Sequence, residues 1–160
     1  VYSLTGADAS SLSINSSGVI TFNSAPDYET KSSYSVNVKV AESEDSDPTN
    51  APFVPEFTIQ ALTVNVTNIN EFPTISSSAT FSAAENQNSI GSISASDPEG
   101  DSLTYSISGS EINISSSGVL TFASAPDYET KSAYSATVTV SDGTNSTTQT
   151  ITVNITDVSE

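Results

Sequence analysis

Nearly all the side chains here with chemistry to offer carry oxygen. Nine lie where one repeat would give way to the next: Asp27 and Glu29 in an Asp-Tyr-Glu turn, Asn68, Asn70 and Glu71 in a connector, Asp97, Glu99 and Asp101 in Asp-Pro-Glu-Gly-Asp, and Asp142. Brought together, such groups repel unless a cation neutralises them, and a set of about six to eight hard oxygens suits Ca²⁺ rather than Zn²⁺. Asp127 and Glu129 stand two apart in a second copy of the same turn, closer than the two acids of a glycosidase and better placed to share a cation. Other chemistries lack their parts. The chain has no His, Cys or Arg, so acid–base, nucleophilic and phosphate-clamping catalysis lose their commonest instruments, and the expectation is no enzyme. Three lysines face 19 acids for a net charge of -16, which excludes a basic nucleic-acid face. Apolar runs fall far short of the roughly 20 residues that span a bilayer, so no membrane insertion is expected.

The elements that must position these oxygens are strands. Ser and Thr make 53 of 160 residues, while Val, Ile, Leu and Phe make 36, enough for a thin core only. Val and Ile number 25 against five Leu, and β-branched side chains pack well on a pleated surface but lose rotamer freedom in helices. Tyr34, Val36, Val38 and Val40 alternate with polar residues, as do Tyr134, Ala136, Val138 and Val140. Similar alternation at Ile90–Ala95, Leu103–Ile107, Val119–Phe122 and Ile151–Ile155, between Gly, Pro, Asp and Ser clusters, argues for sandwiches of antiparallel sheets.

The chain repeats itself. Leu12–Val40 aligns without gaps to Ile112–Val140 with 20 of 29 positions identical, including Ala-Pro-Asp-Tyr-Glu-Thr-Lys at Ala25–Lys31. Leu62–Thr67 then matches Ile151–Thr156 at an offset of 89 rather than 100, so the first copy holds an inserted loop of about 11 residues between Glu42 and Gln60. Residues 72–160 form a complete module. Residues 1–71 form an incomplete one, with no counterpart of the 31 residues from Pro73 to Leu103 that should supply its first two strands. A sandwich missing two strands exposes its inner face and an edge. Either a further segment of a longer chain fills the gap, or a neighbouring molecule donates strands.

The ordered motifs resemble the cadherin repeat over nearly the whole chain. Ala84-Glu85-Asn86 is similar to that family's Pro-Glu-Asn, Asp97-Pro98-Glu99 to its Asp-x-Asp, Asp27-Tyr28-Glu29 and Asp127-Tyr128-Glu129 to its Asp-x-Glu, and Asn68-Ile69-Asn70-Glu71-Phe72-Pro73 to its linker; Asp142 ends a Val-x-Val-x-Asp strand. The style is that of tandem cadherin-like repeats in bacterial surface adhesins. The resemblance implies an all-β fold of tandem immunoglobulin-like Greek-key sandwiches with Ca²⁺ between consecutive modules. By position, Asp27, Glu29, Asn68, Asn70, Glu71, Asp97, Glu99 and Asp142 would serve the central junction, and Glu85, Asp127, Glu129, Asp157 and Glu160 the next one. Asn68 and Phe72 replace the family's Asp and Asn, and Glu71 and Glu99 are a methylene longer than its Asp, departures that reduce the expected number or affinity of ions.

The expected function is structural and adhesive: a calcium-rigidified repeat of an extended extracellular, cell-surface adhesin or filament. The alternatives are a filament subunit assembled by donor-strand complementation and a carbohydrate-binding module. Partners would be neighbouring modules or identical subunits, with a cell-surface protein or polysaccharide as ligand and no nucleic acid. Other signals have plainer readings: Glu42, Glu44, Asp45 and Asp47 as a solvated loop, Tyr28 and Tyr128 as packed under their turns, and Lys31 and Lys131 as solvent-exposed.

Overall fold

A computed structural model describes residues 1–41 and 56–159, which fall into two compact units, Val1–Ile69 and Asn70–Glu160. The acidic run of the inserted loop and Glu160 lie outside the described residues. The boundary falls two residues before the expected one. Asn70 and Glu71 belong with the second unit because Asn145 Nδ2 donates to both their carbonyls, at 3.0 and 3.1 Å.

In unit 1, β1 (Tyr2–Thr5), β4 (Ser33–Ala41) and β5 (Phe57–Asn65) form one antiparallel sheet, and β2 (Leu12–Ile14) pairs with β3 (Ile20–Phe22). A short 3₁₀ turn, Ala9–Ser11, separates β1 from β2.

Unit 2 repeats this plan and adds to it. Its strands are β6 (Thr74–Ile75), β7 (Thr80–Ala84), β8 (Ser89–Ser92), β9 (Ala95–Ser96), β10 (Thr104–Ile107), β11 (Ile112–Ile114), β12 (Val119–Phe122), β13 (Ala133–Ser141) and β14 (Ser146–Thr156). They form a four-stranded sheet β10-β13-β14-β7, a three-stranded sheet β11-β12-β8 and the small pair β6-β9. Alternation dictates the packing: Ala136, Val138 and Val140 of β13 and Ile151, Val153 and Ile155 of β14 point inward against Ile112, Leu120 and Phe122. The result is an immunoglobulin-like β-sandwich.

One pairing departs from the antiparallel expectation: β7 runs parallel to β14, Thr80 opposite Thr152 through Ala84 opposite Thr156. The two strands are more than 60 residues apart, so no tight turn forces them antiparallel, and the intervening strands serve as the crossover. In the turn before β12, Gly118 adopts φ +81, and a Cβ there would lie 2.6 Å from the Ile93 carbonyl oxygen, so only glycine fits.

Lys31 and Lys131 keep 42% of their side chains exposed, and each is paired as well: Lys31 Nζ with Asp8, and Lys131 Nζ with Glu111 Oε1 at 2.6 Å. Each also sits over a tyrosine ring, at 4.9 Å from Tyr34 and 4.4 Å from Tyr134. Those rings in turn meet Phe22 and Phe122 edge-on, with centroids 5.0 Å apart in both copies. One expectation is corrected: Tyr28 and Tyr128 are exposed rather than tucked under their turns, each turn being closed by hydrogen bonds between its own Asp and Thr instead.

Candidate metal centre

The turn before β4 and its copy before β13 are built alike. Asp27 accepts hydrogen bonds from the Thr30 backbone N–H (3.1 Å) and hydroxyl (3.0 Å), and Asp127 from Thr130 N–H (3.2 Å) and hydroxyl (2.8 Å). Those bonds hold both carboxyls below the ordinary 3.8: the Thr30 N–H is the larger cause for Asp27, the Thr130 hydroxyl for Asp127. Thr30 and Thr130 stand in the shared Asp-Tyr-Glu-Thr-Lys block, so their role was open to reading there and was missed. Glu29 and Asn68, in unit 1, are both exposed.

In unit 2 a first oxygen-rich set gathers around the start of the module. Asp97 closes its turn by accepting from the Asp101 N–H at 3.1 Å, while its other oxygen, Oδ2, is buried with no hydrogen-bond partner among the described residues. Glu99 Oε2 accepts from the Glu71 N–H at 3.4 Å, and Glu99 Oε1 is buried and unpartnered in the same way. Carboxylate oxygens of Glu71 and Glu99 approach within 4.8 Å. A hydrogen bond from the Glu71 carboxyl is the main cause that holds Glu99 below its ordinary range. Asp142 Oδ1 accepts from the Thr144 and Asn145 N–H groups, both at 2.6 Å, and Oδ2 from Asn70 Nδ2 at 2.9 Å. Desolvation raises its pKa, but the bonds from Asn70, Asn145 and Thr144 outweigh it and the net shift is downward. Asp101 is exposed and enters only through its backbone N–H. Asn145, which clamps the connector, carried no motif that could have flagged it.

A second set lies at the other end of β14, which at about 3.3 Å per residue puts the two roughly 30 Å apart. Oxygens of Glu85, Glu129 and Asp157 fall within 4.8 Å of one another. Glu85 is 4% exposed, held where β7 ends: Oε2 accepts from Tyr128 N–H at 2.8 Å and Oε1 from Val158 N–H at 2.7 Å. Asn86 follows with φ 62 and donates its N–H to the Pro126 carbonyl at 2.9 Å, so the Glu-Asn pair turns the chain so that the carboxylate faces inward. In Glu129 a backbone hydrogen bond acts to lower the pKa, but desolvation and the charges of Glu85, Asp157 and Asp127 overcome it and the carboxyl is raised above 4.5.

Both sets are all-oxygen and carboxylate-rich, with no nitrogen or sulfur ligand, which fits a hard cation of the Ca²⁺ type. The unpartnered Asp97 Oδ2 and Glu99 Oε1 are the atoms such an ion would satisfy.

A family model described as "Bacterial Ig domain" matches residues 70–156. No curated protein matches the sequence. Among solved structures, mouse cadherin-23 EC22-24 superposes with a TM-score of 0.65 at 22% identity, over 98% of this chain and 52% of that one. The protocadherin gammaB7 EC3-6 cis-dimer structure gives 0.62 at 23%, over 98% and 40%. Protocadherin gamma B2 extracellular cadherin domains 1-5 give 0.64 at 20%, over 100% and 33%. The chain therefore spans a third to about half the length of these structures, and the likeness is one of fold.

Proposed function

The chain belongs to the bacterial Ig domain family, and on that premise we propose that it is a non-enzymatic, adhesion-type structural module of an extracellular, cell-surface adhesin or filament, stiffened by Ca²⁺. The observation that supports this most is the pair of buried, donor-less carboxylate oxygens, Asp97 Oδ2 and Glu99 Oε1. An unsatisfied buried polar group costs about 1–3 kcal/mol, more when charged, unless something offsets it. Asn70, Glu71, Asp97, Glu99 and Asp142 would hold one ion, and Glu85, Asp127, Glu129 and Asp157 another. In sequence, Asp27, Glu29 and Asn68 are the counterparts of Asp127, Glu129 and Asp157, and we assign them the same role in unit 1. The ion supplies positive charge and coordination in place of mutual repulsion. In a tandem array, ions that share ligands between successive modules would convert flexible joints into stiff ones. Partners in this reading are neighbouring modules or identical subunits.

The test is thermal melting in chelator and in millimolar Ca²⁺, with Mg²⁺ as the comparison. An ion at about 100 times its dissociation constant stabilises by roughly 2.7 kcal/mol, so the melting temperature should rise by several degrees. Asp97→Asn and Glu129→Gln should each remove part of that rise. An identical melting temperature in chelator and calcium ends this reading.

A further inference from the structure

The four-stranded sheet of unit 2 turns an uncharged face outward. The chain carries 19 acids and three lysines, yet β7, β10, β13 and β14 contain no charged residue. Soluble surfaces ordinarily mix charge throughout. Here the outward positions are nearly all Thr or Ser. On β13, Ser135, Thr137 and Thr139 stand opposite Thr152, Thr150 and Thr148 of β14, within nine residue pairs that run without a bulge. β10 adds Ser106 beside Thr139, and β7 adds Thr80 beside Thr152. The internal repeat supplies a control: in unit 1 the counterparts of Thr139, Ser146 and Thr148 are Lys39, Phe57 and Ile59, with Lys39 Nζ 4.1 Å from the centroid of the Phe57 ring. The fold does not require the array.

Strand geometry makes these hydroxyls a grid. Along one strand they recur every second residue, about 6.6–6.8 Å, and neighbouring strands lie about 4.7–4.9 Å apart. The Thr137 and Thr150 hydroxyls are 3.5 Å apart, while those of Thr139, Thr148 and Thr152 bond to no other group among the described residues and are left to water. Each hydroxyl offers one donor and two acceptor sites. Each Thr adds a methyl group, around which first-shell water loses orientational freedom, and its branched Cβ stiffens χ1, so the grid is ordered before anything binds.

We propose that this sheet is an ice-binding face, adsorbing to the surface of hexagonal ice through the water layer that its hydroxyls and methyls hold in order. The oxygens of an ice surface repeat on a similar two-way grid, and ice excludes ions, so a charge-free array suits it. Other occupants fit less well. The aromatic rings of these strands, Phe81, Tyr105 and Tyr134, pack against the core, so a sugar finds no ring to stack on. A protein partner finds no aromatic or Arg anchor of the kind that dominates interfaces. The array contains none of the carboxylates assigned to Ca²⁺, so it stands or falls apart from the calcium reading.

The test is ice recrystallisation with the full 160-residue chain in millimolar calcium: polycrystalline ice is held just below its melting point and its grains are imaged as they coarsen. The chain should slow coarsening relative to buffer. Thr148→Lys and Thr150→Lys alter exposed side chains, so each should melt as the parent does and yet lose most of the slowing. Asn37→Lys, which places the same charge at the counterpart of Thr137 in unit 1, should keep it. Three results overturn the proposal: coarsening as fast as in buffer, full slowing by the folded Thr148→Lys and Thr150→Lys variants, or an equal loss in Asn37→Lys.

Discussion

Glu85 shows how one residue can serve both fold and site. Its carboxylate takes the N–H groups of Tyr128 and Val158, so Glu85→Ala leaves two donors without an acceptor and should cost about 1–3 kcal/mol in urea unfolding. The cost should be present in chelator, where no ion contributes. Acid titration separates two kinds of carboxyl. Asp8 is held below 3.8 first by the Lys31 ammonium and then by the Ser35 N–H. A folded value below the unfolded one stabilises above pH 3.8, and that contribution is lost as pH falls from 3.8 through the depressed value. Glu129 has the opposite sign: raised above 4.5, it opposes folding progressively as pH climbs from 4.5 through the raised value. Melting in chelator should therefore improve on mild acidification and then collapse below 3.8. Glu129→Gln should flatten the first change, and Asp8→Asn should lessen the second.

Among the elements, the same strand carries different weight in the two copies. Ile151 in β14 is fully buried, and Ile151→Ala should destabilise unit 2 by about 2–5 kcal/mol. Leu62, its counterpart in β5, is half-buried, so Leu62→Ala should cost clearly less, as read from denaturant midpoints. Equal losses would contradict the difference in burial. The turn before β12 makes a further demand: Gly118→Ala meets both a left-handed φ and the Ile93 carbonyl, and should lower stability by more than the roughly 1 kcal/mol of an ordinary glycine replacement.

For the whole molecule, unit 2, whose inward side chains are buried, should outlast unit 1, whose counterparts are half-buried. Heating or limited proteolysis is expected to open unit 1 first, giving two transitions rather than one. A single cooperative transition would contradict that. The charge of -16 adds self-repulsion that salt screens, so melting temperatures in chelator should rise with sodium chloride before any divalent ion is added.

Much of this was written in the chain itself. Alternation of β-branched residues marked the strands, because side chains on a strand point to opposite faces by turns, and near-identity of Leu12–Val40 with Ile112–Val140 marked the repeat that the two compact units share. Motif order pointed to Glu85, Glu129 and Asp157, which do converge. Other features depended on distance in space between residues far apart in sequence. The parallel seating of β7, the clamp of Asn145 on the connector, the pairing of Lys31 with Asp8 and Lys131 with Glu111, and the burial of Asp97 Oδ2 and Glu99 Oε1 are of this kind. Periodicity reports which face of a strand turns inward; which partner waits there is decided only when the sheets close.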